Sequence, residues 1–275
     1  MKQIEEPLEQ RGRLPELMAA ISDTQTVTRP PAQRGSPAYV QFVANLKRII
    51  APVYDQKIRR FFFSCLRHLE VYNNALLINA DCRTKDALEY IRKEFGEFSK
   101  RRGSMPYDET DRWLDSLFTG MERDLDGFSR SAACENPKLQ RLQERILSFY
   151  AESENAQGIV FCKTREMSVA LMKWMKDSPS LAMLSPHNVT GSSSTTAKHG
   201  MTARVQEDVL QYFKGGLHKI LITTSVAEEG LDVQKCNYVI HYLHVTNDIA
   251  RILHQVSCRG GGSGPPPKVP ARVGN

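Results

Sequence analysis

The stretch that most constrains the fold is residues 220–233, which read ILITTSVAEEGLDV. Its first three residues form an apolar run that is typical of a buried strand. Hydroxyl, acidic and glycine residues follow this run, namely Thr224, Ser225, Glu228, Gly230 and Asp232. Open α/β sheets bind ligands at the carboxyl ends of their strands. The stretch therefore predicts a ligand site at a sheet edge, although a buried strand followed by an ordinary loop would have the same pattern.

The polar residues after this strand can bind phosphate and sugar groups. The hydroxyls of Thr224 and Ser225 can donate hydrogen bonds to phosphate oxygens. Gly230 lets the backbone come close to a ligand, and the Asp232 carboxylate can accept a hydrogen bond from a ribose hydroxyl.

A second candidate phosphate site follows an earlier apolar run. Residues Gly158–Cys162, GIVFC, predict a buried strand, and a helix is expected over residues 167–175. Between them lie Lys163, Thr164 and Arg165. A helix N-terminus, a hydroxyl and two cations all favour an anion. A solvated basic turn would have the same composition, so both interpretations stay open.

A loop rich in small residues supplies a third candidate. Residues 186–200, PHNVTGSSSTTAKHG, predict a short strand that runs into a Gly/Ser/Thr loop containing Gly191 and Ser192. Small residues let the backbone approach a sugar-phosphate chain closely. A plain flexible loop has the same composition.

The chain divides into three regions by its apolar patterns. Residues 1–135 show helical spacing, with stripes over 39–50 and 55–100. Residues 136–252 alternate helices with short apolar strands, which predicts βαβ units and a parallel sheet. Residues 253–275 are rich in glycine and proline, which predicts a disordered tail.

Composition leaves several function classes open and argues against others. The net charge of +6 and a pI near 9.0 allow an acidic partner such as nucleic acid. The six cysteines have no CxxC spacing, which favours reduced thiols in a cytosolic protein over a zinc site or disulfides. No apolar run reaches the length of a membrane span, so no membrane association is expected.

Several motifs in order resemble the second RecA-like domain of a superfamily 2 helicase, and more narrowly the RIG-I-like receptors, cytosolic sensors of viral double-stranded RNA. The motifs are GIVFCKTRE, VTGSSS, GMTARVQEDVLQYFKGG, ILITTSVAEEGLDV and CNYVIHYLHVTNDIARI. The runs VAEEGLD and DETDRWLDSLF resemble the melanoma-differentiation-associated member, and VAEEGLD also its signalling-domain-free paralogue. Residues 66–91 resemble the helical domain that these receptors insert between their RecA-like domains. The resemblance implies an α/β fold, with an all-α insertion domain at 1–135 before an incomplete RecA-like domain at 136–252.

The resemblance also implies roles for the candidate residues. The residues expected to contact RNA are Lys163, Thr164, Arg165, Gly191, Ser192, Thr224 and Ser225. The residues expected to face the nucleotide cleft are Glu228, Gly230 and Asp232. Double-stranded RNA and full-length RIG-I-like receptors are the implied partners, and the cytoplasm is the implied location.

Three departures from the family pattern bear on catalysis. The sequence contains no GxxxxGK[ST] stretch and no DExH-type motif, and after residue 252 it lacks the Q-x-R-G-R-x-R run whose arginines reach ATP. The resemblance therefore implies a receptor truncated at both ends. ATP and magnesium serve complete family members, whereas this chain alone is expected to use no cofactor, to bind no metal and to lack ATPase activity. Three hypotheses stay open: weak RNA binding that modulates full-length receptors, a protein-interaction module, and a non-functional fragment.

Overall fold

The structure is a computed structural model that describes residues 1–12, 29–102, 107–131, 136–189, 201–224, 236–242 and 268–273, with the backbone alone at 101–102 and 268–273. Its helices are α1 Lys2–Arg11, α2 Pro37–Ile50, α3 Gln56–Asp81, α4 Thr84–Arg102, α5 Glu109–Ser129, α6 Pro137–Glu152, α7 Arg165–Asp177, α8 Pro179–Ala182 and α9 Ala203–Lys214. Its strands are β1 Gly158–Cys162, β2 His187–Val189, β3 Ile220–Thr224, β4 Tyr238–Tyr242 and β5 Lys268–Val273. None of these helices is long and apolar enough to cross a membrane.

The chain separates into two compact units. The helical unit comprises Met1–Ala80 and Thr84–Cys134, and the α/β unit comprises Asp81–Arg83 and Glu135–Asn275. The short segment Asp81–Arg83 therefore groups with the α/β unit although helices α3 and α4 flank it in sequence.

Apolar stripes and caps define the helical unit. The stripe predicted over 39–50 is α2, which begins after Ser36 because the serine hydroxyl accepts the Tyr39 N–H. The core of the unit comprises apolar side chains from its helices, including Ile4, Leu8, Phe42, Leu46, Phe62, Leu66, Leu69, Leu88, Ile91 and Leu114. One buried carboxylate, Glu5, accepts hydrogen bonds from Tyr39 Oη at 2.6 Å and from Arg34.

A parallel sheet forms the centre of the α/β unit. The strand order is β2-β3-β1-β4-β5, and every pairing is parallel. The connection from β1 through α7 to β2 runs across the sheet in one direction, and the connection from β2 through α9 to β3 runs back. Because such crossovers are right-handed, the two helices lie on opposite faces of the sheet.

Strand alternation decides which side chains meet which helix. On one face, Ile159, Phe161 and Leu221 pack with Val209 and Phe213 of α9. On the other face α7 packs against β1, β2 and β3. Every residue of β1, β3 and β4 is buried, as expected for central strands of a sheet covered on both sides.

The tail contains a strand that composition did not predict. Residues Lys268–Val273 form β5 beside β4, so the prediction of disorder is wrong for these six residues. Tyr238 pairs with Lys268 and Ile240 with Ala271, which leaves one residue of β4 opposite Val269 and Pro270. A proline lacks the N–H that a ladder needs, and a bulge is one of the few places where a strand accepts it.

Candidate functional site

Two of the predicted polar segments meet at one edge of the sheet. Strand β1 ends at Cys162 and strand β3 ends at Thr224, and these two residues are direct neighbours in the parallel ladder. Lys163 is the next residue after Cys162. The register therefore brings the Lys163–Arg165 turn and Thr224 to the same carboxyl edge.

The turn after β1 is also the N-terminus of a helix. Thr164 caps α7, because its hydroxyl oxygen accepts the Met167 N–H at 3.1 Å. The hydroxyl proton stays available for donation to a ligand. Lys163 is exposed and Arg165 is half-buried as the first residue of α7, whereas Thr224 is only 6% exposed. A helix N-terminus with an exposed cation beside it is a favourable place for an anion.

The buried Cys162 thiol fastens this turn to the neighbouring strand. Its Sγ lies 3.4 Å from the carbonyl oxygens of Thr164 and of Thr223, which share the single thiol hydrogen. Burial raises the pKa of this thiol to about 12. The thiol is therefore a neutral donor at physiological pH and not a nucleophile.

A buried acid lies next to the exposed lysine. The Asp81 side chain is 8% exposed, and its Oδ1 accepts from Lys138 Nζ at 2.8 Å. Its Oδ2 lies 3.5 Å from Lys163 Nζ, and the Lys163 side chain is 46% exposed. The Tyr242 hydroxyl donates to the Asp81 carbonyl oxygen at 2.5 Å. Burial raises the pKa of Tyr242, so the phenol stays protonated as this donor.

Further contacts hold the segment that carries Asp81. Arg83 Nη1 donates to Asp177 Oδ2 at 2.8 Å, at the far end of α7. Asn136 Nδ2 lies 3.4 Å from the Cys82 carbonyl oxygen. All these contacts are internal to the α/β unit.

Comparisons with known proteins identify the family. A family model described as the RIG-I receptor C-terminal domain matches residues 1–130, and one described as the helicase conserved C-terminal domain matches residues 137–263. The antiviral innate immune response receptor RIG-I of Sus scrofa is 35% identical over 235 residues, which is 83% of this chain and 24% of that protein. The chain belongs to the RIG-I-like receptor family.

One further relative agrees with this membership, and a solved structure shows the same fold. The ATP-dependent RNA helicase DHX58 of Mus musculus is 32% identical over 233 residues, which is 84% of this chain and 33% of that protein. The chain thus spans between 24% and 33% of the length of these two curated relatives. The solved helicase domain of Hef from Pyrococcus furiosus aligns with a TM-score of 0.54 at 20% identity, over 99% of this chain and 51% of that one. The predicted fold class, a RecA-like parallel sheet preceded by a helical domain, is confirmed. The closer resemblance to the melanoma-differentiation-associated member stays a prediction.

The structure describes four of the ten residues predicted for this RIG-I-like site. Those four are Lys163, Thr164, Arg165 and Thr224. The other six lie outside the described residues and are Gly191, Ser192, Ser225, Glu228, Gly230 and Asp232. Sequence reasoning missed Asp81, which lies 82 positions from Lys163 and has no phosphate-binding pattern around it.

Proposed function

We propose that this chain binds the backbone of double-stranded RNA in the cytoplasm, through the carboxyl edge formed by β1, β3 and the N-terminus of α7. The observation that carries the proposal is the exposed Lys163 ammonium beside a helix N-terminus, at the edge where open α/β sheets take ligands. The names of the relatives, an antiviral innate immune response receptor and an RNA helicase, support RNA as the ligand.

The chemistry of this edge suits backbone contacts that do not read sequence. An ammonium, a hydroxyl proton and helix N–H groups are all donors toward phosphate oxygens, and phosphate contacts fix position without reading the bases. The net charge of +6 adds a favourable long-range attraction that salt weakens. We therefore expect weak, salt-sensitive binding that is independent of RNA sequence.

Fluorescence anisotropy on a labelled blunt RNA duplex tests this proposal, with single-stranded RNA for comparison and at two or more salt concentrations. Lys163→Ala should weaken duplex binding and lower the slope of log affinity against log salt by about 0.9, the value for one lost phosphate contact on a duplex. Lys176→Ala is the matched control, since it removes the same charge from the exposed last turn of α7. No duplex binding by a folded, monodisperse chain would refute the proposal, and so would equal losses in the two variants.

The proposed function does not include ATP hydrolysis by this chain alone. Phosphoryl transfer depends on a phosphate-cradling loop and a metal-holding acid, and the sequence contains neither a GxxxxGK[ST] stretch nor a DExH-type motif. Release of phosphate from ATP with duplex RNA present should not exceed that of a heat-denatured sample. Turnover above that level, abolished by Asp232→Ala, would overturn this part of the proposal.

A chain that binds duplex RNA without turning over ATP would occupy sites that full-length RIG-I-like receptors need. We infer that it lowers the RNA-stimulated ATPase rate of a full-length receptor when RNA is limiting. Excess RNA should abolish the effect, because it removes the competition. Inhibition that persists at saturating RNA would instead point to direct contact with the receptor.

A second candidate function, a protein-interaction module, is favoured by an apolar cleft in the helical unit. The cleft has a volume of about 500 Å³ and is lined by Tyr72, Leu76, Leu88 and Met121 among others. Leu76 and Met121 are 43% and 40% exposed, an arrangement seen where proteins bind partners.

Polar substitutions in the cleft distinguish the two functions. If the cleft binds a full-length receptor, Leu76→Ser with Met121→Ser should abolish co-sedimentation with that receptor, while Lys163→Ala should leave it unchanged. Val40→Ser is the control, since Val40 is 45% exposed and does not line the cleft. The opposite pattern would favour RNA-mediated association.

A further inference from the structure

We propose that Asp81 is a positioning residue that competes with RNA phosphate for the Lys163 ammonium. In the ligand-free chain Asp81 holds Lys163 at the sheet edge, and a backbone phosphate takes its place when RNA binds. This inference rests on the proposed RNA-binding function and adds a regulator to the same site.

The two lysines that flank Asp81 differ in how tightly they are held. Lys138 Nζ lies 2.8 Å from Oδ1, which is the distance of a strong charge-assisted hydrogen bond. Lys163 Nζ lies 3.5 Å from Oδ2, at the outer limit of a hydrogen bond, and its side chain is the more exposed of the two. Lys163 is therefore the partner that can leave.

Movement of the Lys163 ammonium away from Asp81 does not leave a buried charge without a partner. A buried carboxylate without a partner is strongly destabilising, but Asp81 would keep the shorter of its two ion pairs, the one with Lys138. The lysine stem has four methylene groups and several rotamers, so the ammonium can turn toward solvent at the edge. The ion pair thus sets the orientation of Lys163 without locking it.

Asp81 cannot move together with the Lys163 ammonium. Tyr242 holds the Asp81 backbone at 2.5 Å, and Arg83, two residues further on, is paired with Asp177 at 2.8 Å. The carboxylate therefore stays close to Lys163, where it competes with the phosphate for the same ammonium.

The experiment compares duplex-RNA affinity of the wild-type chain and Asp81→Asn by anisotropy at low salt. The amide keeps the shape of the side chain and removes its charge. A partly exposed ion pair contributes about 0.2–1 kcal/mol, so the variant should bind duplex RNA about 1.4- to fivefold more tightly. Asp208→Asn is the matched control, since it removes the same charge from an exposed position of α9 and should leave the affinity unchanged.

A double-mutant cycle separates the specific effect from a general change in charge. In a Lys163→Ala background, Asp81→Asn should give no gain in affinity, because the competing lysine is gone. A gain that persists in that background would overturn the inference, and so would equal affinities of wild type and Asp81→Asn. If the wild-type chain binds no duplex RNA, the proposed function fails first, so the two failures can be told apart.

A measurement on the wild-type chain keeps the inference testable if Asp81→Asn does not fold. Reductive methylation with ¹³C labels each lysine amine and preserves its charge, and Lys163→Ala assigns the Lys163 signal. That signal should shift when duplex RNA is added, while the Lys176 signal should not. RNA binding that leaves the Lys163 signal in place would overturn the inference.

Discussion

Gly158→Ala should destabilise the α/β unit strongly, because the added methyl group would collide with a buried aromatic ring. Gly158 is the first residue of β1 and pairs directly with Tyr238 of β4. A Cβ atom at this position would lie 2.0 Å from Cε2 and 2.1 Å from Cζ of the Tyr238 ring, whereas ordinary contact begins at 3.4 Å. One of the two strands or the ring must therefore move.

The Tyr238 ring has little room to move away. It has no exposed surface, and it stacks on the Phe149 ring of α6 with centroids 4.4 Å apart and planes 4° apart. Overpacking of a well-filled core costs about 1–3 kcal/mol. We place Gly158→Ala at about 3 kcal/mol, the upper end, because the contact involves a stacked ring and not a flexible side chain.

Two tryptophans allow each unit to be followed separately. Trp113 lies in α5 and Trp174 in α7. In a Trp113→Phe background, urea unfolding followed by Trp174 fluorescence reports on the α/β unit alone. Gly120→Ala is the control, since Gly120 is exposed in α5 with nothing within 4 Å of its Cβ position. It should leave the Trp174 transition unchanged, because Gly120 lies in the helical unit.

A second substitution that removes the clash with the Tyr238 ring tests this prediction. Tyr238→Leu removes the Cε2 and Cζ atoms that the new methyl group would meet. In that background Gly158→Ala should cost markedly less than in the wild-type chain. An equal cost in both backgrounds, or a loss below about 0.5 kcal/mol in the wild type, would refute the account, since surface changes already reach that size.

The remaining predictions concern a cap and the pH dependence of stability. Asp108→Ala should lower the free energy of unfolding of the helical unit by about 1 kcal/mol, measured by Trp113 fluorescence, because Asp108 caps α5. Burial raises the pKa of Glu5, but hydrogen bonds such as that from Arg34 outweigh it and the net pKa is lowered. The helical unit should therefore lose stability as pH falls below about 4.5, the unfolded value, and Glu5→Gln should flatten that loss. Burial raises the pKa of Cys162 and of Cys236 to about 12. Their contribution to α/β-unit stability should be full below about pH 9 and decline from there to pH 12, and iodoacetamide at pH 7.5 should leave both thiols unmodified in the native chain.

Local patterns in the sequence were enough to predict the central strands and several of the helices. The apolar runs at 158–162 and 220–224 are strands β1 and β3, and both are buried as such runs require. Asn136 and Asp108 cap α6 and α5 with their side-chain oxygens. These predictions depend on side chains within four residues of each other, and physics at that range can be read from sequence.

Features that depend on pairing across long distances were not predicted. The helical region expected over 55–100 is two helices, and the break at Cys82–Arg83 has no proline or glycine to announce it. It is held instead by contacts with Asn136, Tyr242 and Asp177, all remote in sequence. The strand β5 was missed for the same reason. Composition measures how little core a segment can bury, but backbone pairing with β4 needs no apolar side chain.

This difference explains why the hydrogen-bond donors of the edge were predicted and the acid Asp81 was not. The donors toward phosphate lie together because one strand-to-helix turn carries Lys163, Thr164 and the N-terminus of α7. The acid that opposes them is on a different segment, and only the fold brings Asp81 within 3.5 Å of Lys163. A cation at a ligand site has to be kept in place when the ligand is absent, and a partner from a distant segment does this without adding an acid to the ligand-binding turn itself. In the competition proposed above, the affinity depends on the difference between two contacts of one ammonium, so changes at Asp81 and at Lys163 should both alter RNA binding.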